Sequence, residues 1–264
     1  MTHSLIDGAP ASVEDLTYLA HVNYGAYTSF AVEGGAVRGL DLHLARLENA
    51  AFELFGEGVG EAVLRDLMRD ACRDRPDGWM RVSLFLPELG PRTPDVVGRP
   101  RVIISVFDPV QPLGAAMRVQ SQIYQREAAH LKHTATFGLI RARRMARVAG
   151  YDDALFVDAS GRISEGSLWN IGFVRGRSVI WPQADVLGGV AQTLVNRGLV
   201  ASGWQSDVRP VLLSDLSGFD GAFLCNSATP AGLILSVDDH VFDPEALPLA
   251  ELQAAWSGQA LQTI

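Results

Sequence analysis

Lys132 is the only lysine among the 264 residues of the chain, and arginine supplies the other 21 of its 22 basic side chains. A genome-wide preference for arginine explains why lysines are scarce. It does not explain why one lysine remains here, since an exposed lysine can be replaced by arginine at almost no cost. A lysine that forms a Schiff base with a carbonyl group cannot be replaced, because guanidinium stays protonated and is not a usable nucleophile. Lys132 is therefore the first candidate for a reactive residue.

Two further charged residues could act with such a lysine. Arg46 lies in residues 43–47 (HLARL), where a fixed guanidinium would suit a phosphate dianion. Glu165 lies 33 residues after Lys132, in residues 163–171 (ISEGSLWNI). Taken alone, each is more simply interpreted as an ordinary solvated side chain. Their combination with the single lysine is what favours a site.

Two turns have the composition of anion-binding loops. Residues 188–192 (GGVAQ) precede a predicted helix, and the amides at a helix N-terminus bind phosphate well. Residues 226–228 (NSA) form a tight turn between two predicted strands, and Ser227 could donate a hydroxyl hydrogen there.

The elements that must position these residues follow from the hydrophobic pattern. Aromatic and β-branched residues predict a strand over 22–33, followed by a hairpin turn at Gly34–Gly35. Asp41 is the predicted N-cap of the next helix. The other predicted helices cover 61–75, 137–149, 190–203 and the C-terminus, and the other strands cover 4–8, 81–86, 101–107, 118–124, 153–158, 163–174 and 178–182. Residues 108–117 are the predicted linker.

Composition restricts the class of protein. The chain is 48% hydrophobic and 20% charged, as expected for a globular protein long enough for one large or two modest domains. A net charge of −8 argues against nucleic acid as a main partner. Cys72 and Cys225 lie far apart and outside any metal-binding pattern, so we expect free thiols in a reducing cytoplasm. We expect neither a signal peptide nor a membrane-spanning segment.

Taken together, these segments resemble the class IV, or fold type IV, pyridoxal-phosphate-dependent aminotransferases. That family includes branched-chain aminotransferases, D-amino acid aminotransferases and 4-amino-4-deoxychorismate lyase. The resemblance extends from Ile6 to about Val241. It implies an α+β fold with a smaller N-terminal domain (residues 1–112) and a larger C-terminal domain (residues 113–264) that carries the lysine. It also implies a cytoplasmic homodimer that uses pyridoxal 5′-phosphate, an amino donor and a 2-oxo acid acceptor, with no metal, nucleic acid or membrane partner.

The resemblance also implies roles for individual residues. Lys132 would hold the cofactor and then move a proton between the substrate Cα and the cofactor. Glu165 would pair with the pyridine nitrogen and keep it protonated, and Arg46 would bind the phosphate. Tyr27 matches an aromatic position that carries an active-site tyrosine in the D-amino acid enzymes. The other implied cofactor-binding residues are Gly189, Val190, Ala191, Asn226 and Ser227.

Several positions depart from the family pattern. Ala191 stands where many members have a threonine whose hydroxyl binds phosphate, and Gln192 replaces the usual arginine. Phe137 occupies the position of a tyrosine in the branched-chain enzymes. The strand that begins at Arg81 lacks the Arg-Gly ending of many members, so an arginine for the substrate carboxylate is not evident there.

Three functions remain open at this point. An aminotransferase acting on a small amino acid or amine is favoured. The alternative is a lyase of the aminodeoxychorismate type, suggested by His133, by Thr28–Ser29 and by Cys225–Asn226. The third is a relative that has lost catalysis and serves as a binding or structural protein, for which Ala191 and Gln192 would be early signs.

Overall fold

A computed structural model describes residues 3–114 and 116–264 of the chain. Within these ranges the protein has six α-helices and sixteen β-strands, which confirms the α+β class. The helices are α1 (Val13–His21), α2 (Leu40–Phe55), α3 (Glu61–Cys72), α4 (Phe137–Val148), α5 (Val190–Ala201) and α6 (Leu249–Ser257). None of the helices in these ranges is long and apolar enough to cross a membrane.

The strands are short and unevenly spaced along the chain. In the first half they are β1 (His3–Ile6), β2 (Ala9–Pro10), β3 (Ala26–Val32), β4 (Ala36–Arg38), β5 (Gly78–Phe85), β6 (Arg101–Phe107) and β7 (Ala116–Ile123). In the second half they are β8 (Asp153–Val157), β9 (Ile163–Gly166), β10 (Asn170–Arg175), β11 (Ser178–Pro182), β12 (Gln205–Arg209), β13 (Gly221–Cys225), β14 (Gly232–Val237), β15 (His240–Val241) and β16 (Leu261–Thr263).

The first compact unit contains the residues up to Gln111, together with Leu131–Ala135 and Ala260–Ile264. Its main sheet has the order β2-β1-β6-β5-β3, with antiparallel neighbours throughout. Burial alternates along β6, so every second side chain enters the core, as expected for a sheet with one covered face. Helices α2 and α3 pack on β3 and β6.

The Lys132 segment belongs to this first unit because it pairs with the start of β3. Tyr27 N donates to the Lys132 carbonyl (2.8 Å), and Thr134 N donates to the Gly25 carbonyl (2.8 Å). The sequence resemblance had implied a C-terminal domain that carries the lysine. The division of the chain into domains 1–112 and 113–264 stays a prediction.

The second compact unit contains Pro112–His130 and Thr136–Gln259. Its sheet has the order β12-β11-β10-β13-β14-β7-β8-β9, with β15 added beside β14. All residues of β8 and β13 are buried, which explains why both strands lack alternation and, apart from Asp153 at the start of β8, have no charged residue. Helix α4 packs on β8, and α5 packs on α6.

Two local predictions were wrong. Asp41 is not an N-cap, because α2 begins at Leu40, two residues before the predicted start, and its N-cap is Gly39, whose φ of 69° favours glycine. Residues 163–174 are not one strand but two, β9 and β10. A tight turn separates them, in which Gly166 N donates to the Trp169 carbonyl (2.8 Å). Helix α1 and strands β2, β12, β15 and β16 were not predicted from the sequence.

Candidate active site

The only lysine lies against an aromatic ring. Lys132 Nζ is 4.9 Å from the centre of the Tyr27 ring. The guanidinium carbon of Arg81 is 3.8 Å from the same centre. Tyr27 is 8% exposed, so both cations contact a ring that is largely removed from water. The first unit thus brings two predicted site residues together and adds a second cation to them.

Arg81 was not identified as a site residue from the sequence. It lies on β5, where the register pairs Tyr27 with Ser83 and Ser29 with Arg81, so Arg81 and Tyr27 are diagonal neighbours. Its Nε donates to Ser83 Oγ (3.2 Å), which helps to fix the guanidinium on the ring. The family pattern has an arginine at the end of this strand, whereas Arg81 lies near its middle. Only the pairing of β3 with β5 reveals that Arg81 lies beside Tyr27.

Arg46 lies one helical turn after a buried histidine. His43 is 1% exposed, and its Nδ1 lies 2.6 Å from Thr28 Oγ1. Burial, together with the positive charges of Arg46 and Lys132, lowers the pKa of His43 well below its usual value of 6.5. The charges of Arg46 and Lys132 therefore both act on the same imidazole. This cluster joins three of the residues that were placed in motifs from the sequence.

We expect His43 to make stability depend on pH. Because its pKa in the folded protein is depressed, the unfolded chain binds more protons as the pH falls below 6.5. The free energy of unfolding should therefore keep its full value above pH 6.5. As the pH is lowered below 6.5, it should decrease by up to about 1.4 kcal/mol per pH unit. Urea unfolding between about pH 5 and 7.5 measures this slope. His43→Gln should reduce it, and an equal slope in the variant would show that another group is responsible.

Glu165 occupies a buried position in the second unit. It lies on β9, is 6% exposed, and accepts hydrogen bonds at both oxygens. Oε1 accepts from Arg126 Nε (3.1 Å), and Oε2 accepts from the Leu187 amide (3.0 Å). Arg126 is also buried, and its guanidinium donates to the Ala129 carbonyl. A buried carboxylate requires this kind of compensation, and these two donors also fix its orientation.

Arg126 is a second site residue that no sequence pattern indicated. An arginine between Gln125 and Glu127 is ordinarily exposed, and nothing in the local pattern reveals that this one is buried beside a carboxylate. The ion pair is visible only in the folded structure, where Arg126 lies beside Glu165.

The Leu187 backbone connects Glu165 to the predicted phosphate turn. Its amide is held by Glu165, and its carbonyl accepts from Asn170 Nδ2 (2.8 Å). Two residues later, a Cβ on Gly189 would lie 2.1 Å from Asn170 Oδ1, so only glycine fits there. Helix α5 begins at Val190, and no described side chain caps it at Gly189. The first amides of α5, including that of Ala191, are therefore available to an anion.

The second predicted turn is shaped by its own asparagine. Asn226 Oδ1 accepts from the amides of Ala228 (3.0 Å) and Thr229 (2.7 Å), and Nδ2 donates to the Leu168 carbonyl (3.2 Å). Asn226 therefore orders the turn, and Ser227 is half-buried within it. Cys225 just before it has no exposed surface, and burial raises the pKa of its thiol. The described residues contain no group of acidic, histidine or cysteine side chains that could hold a metal ion.

Curated proteins similar to this chain are described as aminotransferases. A chain described as a probable branched-chain-amino-acid aminotransferase of Rickettsia felis is 30% identical over 100 residues, which are 38% of this chain and 34% of that one. The chain thus aligns with about one third of the length of the curated relatives it matches.

Solved structures match over nearly the whole chain. A branched-chain amino acid aminotransferase of Escherichia coli has a TM-score of 0.81 at 18% identity, over 97% of this chain and 93% of that one. A Legionella pneumophila protein described as a putative 4-amino-4-deoxychorismate lyase has a TM-score of 0.80 at 19% identity, over 95% and 96% of the two chains. A fold IV transaminase of Curtobacterium pusillum has a TM-score of 0.77 at 23% identity, over 96% and 92%. These likenesses confirm the fold type IV architecture.

The family profile for amino-transferase class IV matches residues 25–237. This stretch contains the lysine, the aromatic ring beside it, the buried glutamate and both phosphate-type turns. The chain belongs to the class IV aminotransferase family.

Proposed function

We propose that the protein is a pyridoxal-phosphate-dependent aminotransferase that moves an amino group between a small amino acid and a 2-oxo acid. The observation that carries the proposal is the environment of the only lysine. Lys132 contacts Tyr27, which Arg81 also contacts, and it acts with Arg46 on the buried His43. In an acidic chain, a concentration of positive groups around one amine is suited to an anionic cofactor and substrate.

The residues present fit the cofactor. In the second unit, the uncapped start of α5 and the half-buried Ser227 offer donors that suit a phosphate. In the first unit, considered by itself, the Arg46 guanidinium is also a group that suits a phosphate. The buried carboxylate of Glu165 offers a negative charge to a protonated ring nitrogen. Lys132 would carry the group covalently. When bound, pyridoxal 5′-phosphate supplies an electron sink for the negative charge that develops at the substrate Cα.

Each residue then has a physical task. The Lys132 amine would take the proton from the substrate Cα and would then return it to the cofactor. Glu165 provides the fixed negative charge that the electron sink requires, and Arg126 holds its carboxylate in one orientation. Arg81 and Lys132 hold the Tyr27 ring in place. The ring can therefore form one wall of the substrate position beside the Lys132 amine.

Arg81 supports an amino acid as the donor. Its guanidinium lies over the ring that Lys132 also contacts, and a guanidinium binds a carboxylate through paired hydrogen bonds. A donor without a carboxylate would leave this charge without a matching group. We therefore expect amino acids to react and simple amines of the same carbon skeleton to react poorly.

The lyase alternative loses part of its support. Thr28 has no exposed surface, and its hydroxyl is engaged with His43. Cys225 is also fully buried. Packing therefore explains one residue of each of two features that suggested the lyase, while Ser29, Asn226 and His133 are only partly buried.

The test is the half-reaction of the purified protein loaded with pyridoxal 5′-phosphate. D-Alanine, L-leucine and an aromatic amine are added separately, and the visible spectrum reports conversion to the pyridoxamine form. Conversion by an amino acid supports the aminotransferase. Release of pyruvate from 4-amino-4-deoxychorismate without such conversion would replace it with the lyase.

A homodimer is part of the proposal. Helix α4 exposes Phe137, Ile140 and Val148, which are 76%, 63% and 81% exposed. The same helix carries four arginines and no acidic residue, while the chain has a net charge of −8. A second copy of an acidic chain is a suitable partner for such a surface. Sedimentation velocity measures the mass directly, and a monomer at tens of micromolar would contradict it.

A cytoplasmic location is also part of the proposal. Both cysteines are buried and free, which suits a reducing compartment. Fractionation of the producing cells would show whether the protein is found there.

A further inference from the structure

Asp153 is a carboxylate with no exposed surface that the function described above does not use. It lies at the start of β8. Its Oδ1 accepts from its neighbour's amide, Ala154 N (2.8 Å), and from Ser167 Oγ (2.6 Å). Its Oδ2 accepts from the indole Nε1 of Trp169 (3.2 Å). Burying a carboxylate away from water costs free energy, and these hydrogen-bond donors offset that cost.

Arg143 supplies the counter-charge. Its Nε lies 3.5 Å from Asp153 Oδ2, and it reaches the carboxylate from α4. The carboxylate therefore has partners from its own strand, from α4 and from the turn that follows β9. This arrangement fixes its orientation more firmly than packing alone would.

The two side-chain donors belong to the turn that separates Glu165 from Asn170. Ser167 and Trp169 are both in this turn, and Ser167 N also donates to the Ala154 carbonyl (3.2 Å). The turn is tight, since a Cβ on Gly166 would lie 2.1 Å from the Trp169 ring. Asp153 thus holds the turn from within the core, at two of its residues.

The residues at both ends of this turn form hydrogen bonds with the backbone of the same residue, Leu187. Glu165, on one side, accepts from the Leu187 amide, and Asn170, on the other, donates to the Leu187 carbonyl. A shift of the turn would move both side chains and release Leu187. The segment that leads to Gly189 and the start of α5 would then lose its attachment to β9 and β10.

We propose that Asp153 is a positioning residue that sets the orientation of the Glu165 carboxylate, acting through Ser167 and Trp169. Its effect on catalysis rests on the proposed function. Its effect on the Glu165–Leu187 hydrogen bond does not, because that bond belongs to the protein alone.

The test is Asp153→Asn in the full-length protein. An amide has one oxygen, so it cannot accept from both the Ser167 and Trp169 sides, and its NH2 group would face a donor. We expect hydrogen exchange of the Leu187 amide to become about tenfold faster, while amides in β13 stay unchanged. In the loaded enzyme, kcat should fall about tenfold with KM for the amino donor nearly constant.

Asp152→Asn is the matched control. Asp152 is the adjacent aspartate, and its carboxylate accepts from the Arg118 amide (2.7 Å), away from the turn. The Asp152→Asn variant should leave hydrogen exchange of the Leu187 amide unchanged. If Asp153→Asn does not fold, Trp169→Phe keeps an aromatic ring and the carboxylate and removes one hydrogen bond, with an expected acceleration of about threefold at Leu187.

The outcomes separate this proposal from the proposed function. Faster exchange at Leu187 alone, in a protein without transaminase activity, would support the positioning role and remove the enzymatic one. Exchange at Leu187 equal to that of the Asp152→Asn control, in folded Asp153→Asn and Trp169→Phe, would overturn the positioning role even if the enzyme is active. A uniform acceleration in all strands would also overturn it, since it would show only a general loss of stability.

Discussion

Replacing Lys132 with arginine will abolish transamination and leave the protein folded. The Lys132 backbone carbonyl, which accepts from Tyr27 N, is present in any residue, and arginine keeps a cation near the Tyr27 ring. Guanidinium can neither carry the cofactor covalently nor take a proton from the substrate Cα. Loss of the proton transfer alone corresponds to a rate reduction of roughly a hundredfold to ten-thousandfold. Single-turnover spectra with an amino donor measure it.

The absence of other lysines provides a matched control. Arg92 is exposed between β5 and β6, so Arg92→Lys in the Lys132→Arg protein restores one lysine at an unrelated position. This double variant should remain inactive, and Arg92→Lys alone should be fully active. Substantial activity in the Lys132→Arg protein would show that the chemistry does not pass through this residue.

Replacing Glu165 with glutamine should reduce the rate about a hundredfold, the size of effect seen when one preorganised electrostatic group is removed from an active site. The glutamine keeps the size of the side chain and removes the negative charge. It also leaves Arg126, which is 8% exposed, beside a neutral group. Breaking a buried ion pair in this way costs about 3–5 kcal/mol of stability. Both the turnover number and the free energy of unfolding are therefore measured.

A second substitution separates the two effects. Adding Arg126→Met to Glu165→Gln removes the uncompensated charge, so stability should recover in part while the rate stays low. Glu61→Gln, at an exposed position paired with Arg65, should change neither quantity much. Recovery of the rate together with stability would mean that Glu165 acts only through folding.

The candidate site was predicted from short motifs in the sequence. Lys132, Arg46 and Glu165 stand in distinctive local contexts, and the glycine pair before α5 has a clear physical use. The structure explains that use, since a side chain at Gly189 would collide with Asn170. Local chemistry of this kind depends on neighbours in the chain, which are visible directly in the sequence.

The residues that the sequence did not reveal owe their positions to contacts between distant parts of the chain. Arg81 reaches Tyr27 only because β3 pairs with β5 in one register. Arg126 and Asp153 are charged groups in buried positions, and their compensating partners lie 39 and 14 residues away. Hydrophobic periodicity identifies buried apolar faces, but a buried ion pair looks the same as an exposed one in sequence.

Reduction with borohydride of the protein loaded with pyridoxal 5′-phosphate, followed by peptide mapping, tests the central claim most directly. We expect a long-wavelength absorption band that disappears on reduction, with the pyridoxyl group fixed on the peptide that contains Lys132. A protein that stays colourless after incubation with the cofactor, or a label on any other residue, would contradict the assignment of Lys132.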